Sequence, residues 1–233
     1  MTRRTLLSAI LSTVCAAGIS ASGDTFERRA ARTFENEDWP SAQAMYGVMS
    51  EREPARPDIY ARAIISSEMT ADTLFATTML ERAMTNGVPL DSVLDNVRRT
   101  STSLGHAELY AGFLHRSQTA MPWLSRAIDA RLLDYYMLRH DAPMTALYAE
   151  RMLAGIPDNI PFMLILARAR MASGEPEASE SVYRHILEIE PDNYDALVEL
   201  GSYLYERKPE EARILLGRAA VLRPTPYLQK MLN

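Results

Sequence analysis

Six prolines recur at nearly one interval: Pro54, Pro89, Pro122, Pro157, Pro191 and Pro224 are separated by 35, 33, 35, 34 and 33 residues. Proline has no N–H to donate, and its ring clashes with the preceding helical turn, so each position stops a helix. Two of them open the same tripeptide, Pro157-Asp158-Asn159 and Pro191-Asp192-Asn193. The Asp or Asn can cap the next helix by accepting a hydrogen bond from its first free amides. Self-similarity at this period is the mark of stacked supersecondary units, so the chain must be read as repeats first.

Other residues keep the same register. In the last unit Leu197, Leu200, Gly201 and Leu204 precede Ala212, Leu216, Ala219 and Pro224. The unit before it carries Met163, Leu166, Ala167, Gly174, Ser179, Tyr183, Ile186 and Pro191. The first has Phe26, Ala30, Ala42, Tyr46 and Pro54, and the second Tyr60, Ala76, Leu80 and Ala83 with its proline one place late. This pattern resembles the tetratricopeptide repeat family. That family has large residues at positions 4, 7, 11 and 24 of a 34-residue helix pair, small ones at 8, 20 and 27, and proline at 32. Small residues let the helices approach closely, and large ones fill the remaining gaps.

Position 20 is Ala, Ser or Thr in five units (Ala42, Ala76, Thr145, Ser179 and Ala212), and position 24 is Tyr or Leu in all but the fourth, which has Ala149. The last unit fits after a one-residue shortening in its turn. Units three and four diverge. Arg98 and Tyr110 are too large for positions 8 and 20 of the third, and Asp129 replaces an apolar residue at position 4 of the fourth. These two are either divergent repeats or plain helical hairpins, and residues 90–157 leave that open. The expected fold is all-α: an α-solenoid of about six antiparallel helix pairs over residues 23–224. Residues 225–233 then form a cap, with Tyr227, Leu228, Met231 and Leu232 on one face, because a stack must cover its last apolar surface.

Residues 1–22 read as a signal peptide: Arg3 and Arg4, an apolar run from Leu6 to Ile19, then the small residues Ser20 to Gly23. The run is short for a membrane span. Thr2-Arg3-Arg4-Thr5-Leu6-Leu7 resembles a twin-arginine signal, but nothing downstream requires folding around a cofactor before export, so general secretion is favoured. Cys15, the single cysteine, could accept a lipid anchor, although Val14 is larger than a lipobox tolerates before the cysteine. The mature chain then has no cysteine with which to form a disulfide. An exported protein is expected, periplasmic, envelope-associated or secreted.

Net charge is −5, and removal of Arg3 and Arg4 would leave −7. No basic block is present that could follow a phosphate backbone, so nucleic acid is a poor partner. The four histidines, His106, His115, His140 and His185, include no i, i+3 or i+4 pair and no zinc-ligand motif. Nucleophile elbows, phosphate loops and dinucleotide fingerprints are also missing. No catalytic residue, metal site or cofactor is expected, and none of the histidines acquires a role.

The resemblance implies a concave wall made by the first helix of each unit, at positions 2, 5, 6, 9, 12 and 13. In this chain that wall would include Arg62, Glu68, Arg131, Asp134, Arg168, Glu199, Ser202 and Tyr205. Arg62, Arg131 and Arg168 could line up as a stripe, and arginine grips carboxylates with two parallel hydrogen bonds. The Lys and Asn pairs with which chaperone-binding members hold a terminal carboxylate are missing from these positions. The expected function is an exported scaffold or adaptor that binds a peptide or protein in this groove. The alternatives are a secreted helical enzyme with an unrecognised site, or an oligomerisation component.

Overall fold

The computed structural model describes residues 25–233; the expected leader, with Cys15, lies outside the described residues. Every element described is helical. Hairpins pair α1 (25–35) with α2 (Trp39–Arg52), α3 (Pro57–Met69) with α4 (Thr73–Thr85), and α5 (Leu90–Ser103) with α6 (Ala107–Ala120). After a short 3-10 turn at Pro122–Leu124 come α7 (Ser125–Leu138) with α8 (Ala142–Gly155) and α9 (Ile160–Ala172) with α10 (Pro176–Ile189). The last pair is α11 (Tyr194–Leu204) with α12 (Pro209–Leu222), followed by α13 (Pro226–Leu232). The chain divides between Pro122 and Trp123 into two compact units, the first ending with α6 and the second beginning before α7. The described fold is all-α and built of repeats, and residues 90–157 contribute two full hairpins to it.

The prolines act through the residue in front of them. A residue preceding proline is pushed out of the helical region. Glu53, Met121, Ile156, Glu190 and Arg223 accordingly end their helices with φ between −124° and −149° and ψ between 64° and 100°. Each still donates its N–H to the carbonyl four residues back, at 2.7–3.1 Å. The second unit, whose proline is one place late, uses another stop. Gly87, at φ 75°, donates to Met84, and Val88 donates to Ala83.

A second series of stops lies inside the hairpins. Glu37, Ala71, Gly105, His140 and Gly174 are left-handed, with φ of 60°, 61°, 81°, 55° and 79°, each 34 or 35 residues after the last. Each donates to the carbonyl three residues back, and the next residue donates to the carbonyl five back. This is the Schellman closure, which satisfies carbonyls orphaned at a helix end. In three turns that next residue also starts the following helix: the carboxylates of Asp38, Asp72 and Asp141 accept from Ser41, Phe75 and Met144. The last hairpin differs. Its shortening falls on the helix, which is two or three residues shorter than its counterparts, whereas its turn, 205–208, is longer and has no left-handed residue.

Between the stops the small positions do what the register requires. Ala42, Ala76, Ser179 and Ala212 are fully buried where their hairpins cross, and the Ser179 hydroxyl donates to the Ala167 carbonyl across the pair at 2.7 Å. Gly201 is the tightest point. A methyl there would lie 2.8 Å and 2.9 Å from the side chain of Leu216. The divergent units close differently. Tyr110 is buried, 1% exposed, at the small position of the third, whose α6 packs on both α5 and α4 and touches α3. In the fourth unit Ile128 takes the apolar place beside Asp129, whose carboxylate pairs with Arg151 of α8 at 3.1 Å. Tyr136 and Tyr148 stack between α7 and α8. In α13, Leu228 is buried and Met231 and Leu232 rest on the same core, while Tyr227, 49% exposed, lies outside that core and meets Ser202 of α11 through its hydroxyl.

Two pairs of substitutions separate these causes. Gly201→Ala should cost about 1–3 kcal/mol in urea unfolding through overpacking. Gly217→Ala, a helical site with nothing within 4 Å, should gain up to about 1 kcal/mol. Ala71→Gly should stabilise by roughly 0.5–1 kcal/mol by relieving a left-handed alanine, and Gly174→Ala should lose a similar amount.

Candidate partner-binding faces

The first helix of each hairpin carries the residues expected to face a partner. In the first of the two compact units, the one that ends at Pro122, Arg62 on α3 is already held. Its guanidinium donates to the Tyr46 hydroxyl at 2.7 Å and lies 5.5 Å and 5.6 Å from the Phe34 and Tyr46 ring centres. Trp39 and Tyr46 both meet Phe34 edge-on. Burial raises the Tyr46 pKa, so its hydroxyl stays protonated. Arg62 thus anchors α3 on the first hairpin. Glu68, 4% exposed, is chelated by Arg116, which reaches it from α6. The charge on that face is consumed within the unit.

Arg56, between α2 and α3, is a second hub. It meets Glu27 at 2.7 Å, Glu53 at 2.9 Å and Asp58 at 2.7 Å, tying three segments together. Burial would raise the Asp58 pKa, but the hydrogen bonds from Arg56 override it and hold the carboxyl below the usual range.

In the second unit Arg168 and Glu199, expected as separate grips, pair with each other: Arg168 Nε lies 2.7 Å from Glu199 Oε1. Asp195 stands 3.6 Å from the same guanidinium, and the Tyr183 hydroxyl donates to the other Glu199 oxygen. Burial and then Glu199 push the Tyr183 pKa up, so this donor is permanent. Ser202 donates to the Val198 carbonyl at 2.6 Å and shares a hydrogen bond with Tyr227 of α13 at 2.8 Å. Tyr205, 42% exposed, is the C-cap of α11. On α7, Arg131 is half-buried and Asp134 exposed. Arg62 belongs to one unit and Arg131 and Arg168 to the other.

The same face of the second unit has a hollow of about 250 Å³ between α7, the start of α8 and α9. Met137, Ile165, Ala169 and Ala172 supply its apolar wall, and Thr145, His140 and Arg168 its polar border. Met137 and its neighbour Leu138 are 40% and 72% exposed. These apolar residues were missed from the sequence, although Met137, Leu138 and Ile165 fall at positions 12, 13 and 6, all concave positions. The residues expected from the sequence as partner contacts are all charged or hydroxyl-bearing. Arg116 was also missed, because nothing in the register links it to a residue 48 places away.

Among the described residues no group of three or more His, Cys, Asp or Glu is placed to hold a metal ion, and no helix is long and apolar enough to cross a membrane. No protein-family profile matches the chain, and no curated protein matches it either. Solved structures with some similarity include the C-terminal part of a TPR repeat-containing protein from Cytophaga hutchinsonii. Identity there is 14% and the TM-score 0.48, with 84% of this chain and 78% of that one covered. PilW, a type IV pilus biogenesis factor, gives 14% and 0.49, covering 90% and 98%. A structure of Naa15/Naa10 bound to HypK-THB gives 15% and 0.49; 89% of this chain is covered but only 34% of that one. With scores below 0.5, the repeat assignment rests on the chain's own helix pairs and turn register.

Arg56 and Arg184 make stability depend on acid. Hydrogen bonds from Arg184 lower the Glu180 and Glu211 pKa values, as those from Arg56 lower that of Asp58. Carboxyls with depressed folded-state pKa values contribute fully above their ordinary values near 4. That contribution is lost as pH falls through the lowered ones. The thermal midpoint should therefore drop below about pH 4, and Arg56→Gln should flatten part of that drop.

Proposed function

We propose that this chain is an exported protein–protein interaction module of a bacterial envelope. It would bind a peptide or protein segment on the first-helix face of its hairpins. The observation that carries this reading is the hollow between α7 and α9, with Met137 and Leu138 exposed beside it. Exposed apolar side chains rimmed by charge favour burial against a partner, and a groove whose walls are packed helices need not be ordered on association. The partner's apolar side chain enters between Met137 and Ile165, with Thr145 and His140 at the polar border and Arg131 and Asp134 farther along α7. Arg168 contributes as the wall that its bond to Glu199 fixes, not as a free cation. The basic, apolar and small-residue segments of residues 1–22 support export.

Capture from envelope extract tests the site. Met137→Asp should reduce recovery of the partner about tenfold by placing a charge in the apolar hollow, and Arg131→Glu should reduce it further. Equal recovery with both substitutions, in a chain that keeps its thermal midpoint, would remove this surface from the account. Export is tested separately by mass: the periplasmic form should begin near Gly23, whereas a full-length chain confined to the cytoplasm would exclude it.

A further inference from the structure

From the sequence His185 has no role. In the structure its ring stands between two carboxylates: Nε2 is 3.0 Å from Asp158 in the α8–α9 loop, and Nδ1 is 3.1 Å from Glu188, one turn along α10. Neutral imidazole carries a single N–H, so only the imidazolium donates to both. Hydrogen bonds to Glu188 and then Asp158 raise the His185 pKa accordingly. Asp158 and Glu188 are 62% and 75% exposed, and neither meets a Lys or Arg among the described residues. Three nearby carboxylates differ in this: Glu180 and Glu211 are taken by Arg184, and Asp192 by Arg218.

Beside the ring lies a hollow of about 400 Å³ between α8, α9 and α10. Its floor is apolar, made by Leu153 and Val182 with the edges of the buried Met163 and Leu166. Asp158 and His185 stand at its rim. An apolar seat beside two carboxylates answered only by a histidine is complementary to an aliphatic side chain flanked by a cation. We propose that this hollow seats an aliphatic residue of a basic protein segment, whose neighbouring Lys or Arg replaces His185 between Asp158 and Glu188. The surface lies mainly on second helices, α8 and α10, and is independent of the α7–α9 hollow.

The proposal fixes the pH response. The charged groups that meet the ring are Glu188 from its own helix and Asp158 from the loop; the lining residues of α8 and α9 are Leu153, Met163 and Leu166, which carry no charge. When His185 loses its proton, two carboxylates are left without a cation, so a basic segment binds more tightly as pH rises. Lysine and arginine keep their charge throughout that range.

The test uses the purified chain and a short labelled peptide with Leu and Lys at helical spacing, read by fluorescence anisotropy. Peptides with Glu in place of Lys, or Ser in place of Leu, should bind about tenfold more weakly, as should the Asp158→Asn/Glu188→Gln chain. Asparagine tolerates the left-handed backbone of Asp158, φ 61°, and Glu188 is exposed, so the double variant should keep its circular dichroism and thermal midpoint. Ser181→Arg, which fills the hollow, should abolish binding, and Met137→Asp should leave it intact. Affinity for the Lys peptide should rise as pH climbs above about 6.5, the ordinary histidine value, because His185 holds its proton past that point. It should lose that dependence in His185→Gln. Equal binding of the Glu peptide, or undiminished binding by the double variant, would overturn the proposal. Self-association of the chain that vanishes in the double variant would assign the surface to a second copy instead, and overturn it equally.

Discussion

Five of the six hairpins turn through one left-handed residue, and in five of the six the second helix is closed by an extended residue held in place by proline. These two stops, alternating along the chain, set the length of every helix between them. Helix length in turn decides which side chains face each other across a pair. The burial of Ala42, Ala76, Ser179 and Ala212 at the crossings follows from the register, as does the contact of Gly201 with Leu216. Displacing a stop by one residue rotates the following helix by about 100° and moves its small positions out of the crossing. The second unit shows the tolerance of the scheme. Its late proline is accompanied by Gly87, which ends α4 by a left-handed turn of its own.

One series of stops was legible in the sequence and the other only half so. Proline acts locally, through a clash with its neighbour, and its spacing can be counted without knowing the fold. Gly105 and Gly174 marked two of the turns, but Glu37, Ala71 and His140 adopt the same backbone without the residue that favours it. There the helices on either side impose the conformation, and tertiary packing leaves no local trace. The divergent units were legible as divergent repeats or plain helical hairpins, but not in the contacts that close them. Asp129 is accommodated by Arg151, 22 residues away, and Tyr110 is buried in a hairpin whose α6 packs on α4 as well as on α5. Both solutions depend on which elements become neighbours.

The surface was the least legible part. Charged residues at the expected partner-facing positions invite a reading as free grips, yet Arg62, Glu68, Arg168 and Glu199 each meet a partner within their own unit. Two of these anchors share one device. A buried tyrosine at position 24, Tyr46 or Tyr183, sends its hydroxyl to the residue at position 6 of the next hairpin, where Arg62 and Glu199 stand. Exposed ion pairs contribute little individually, but a buried phenol that fixes one member removes much of the entropy cost of ordering it. What remains for a partner is chiefly apolar: Met137, Leu138 and Ile165 on one face, and the floor beside His185 on the other.

Backbone chemical shifts of the purified chain in solution test the register most directly, because left-handed and right-handed residues have distinct Cα and Cβ shifts. The account predicts left-handed values at residues 37, 71, 105, 140 and 174, with helical values on both sides and none at 205–208. Right-handed helical shifts running without a break through Ala71 or His140 would contradict it, since α3 and α4, or α7 and α8, would then be single helices and the hairpins would not exist.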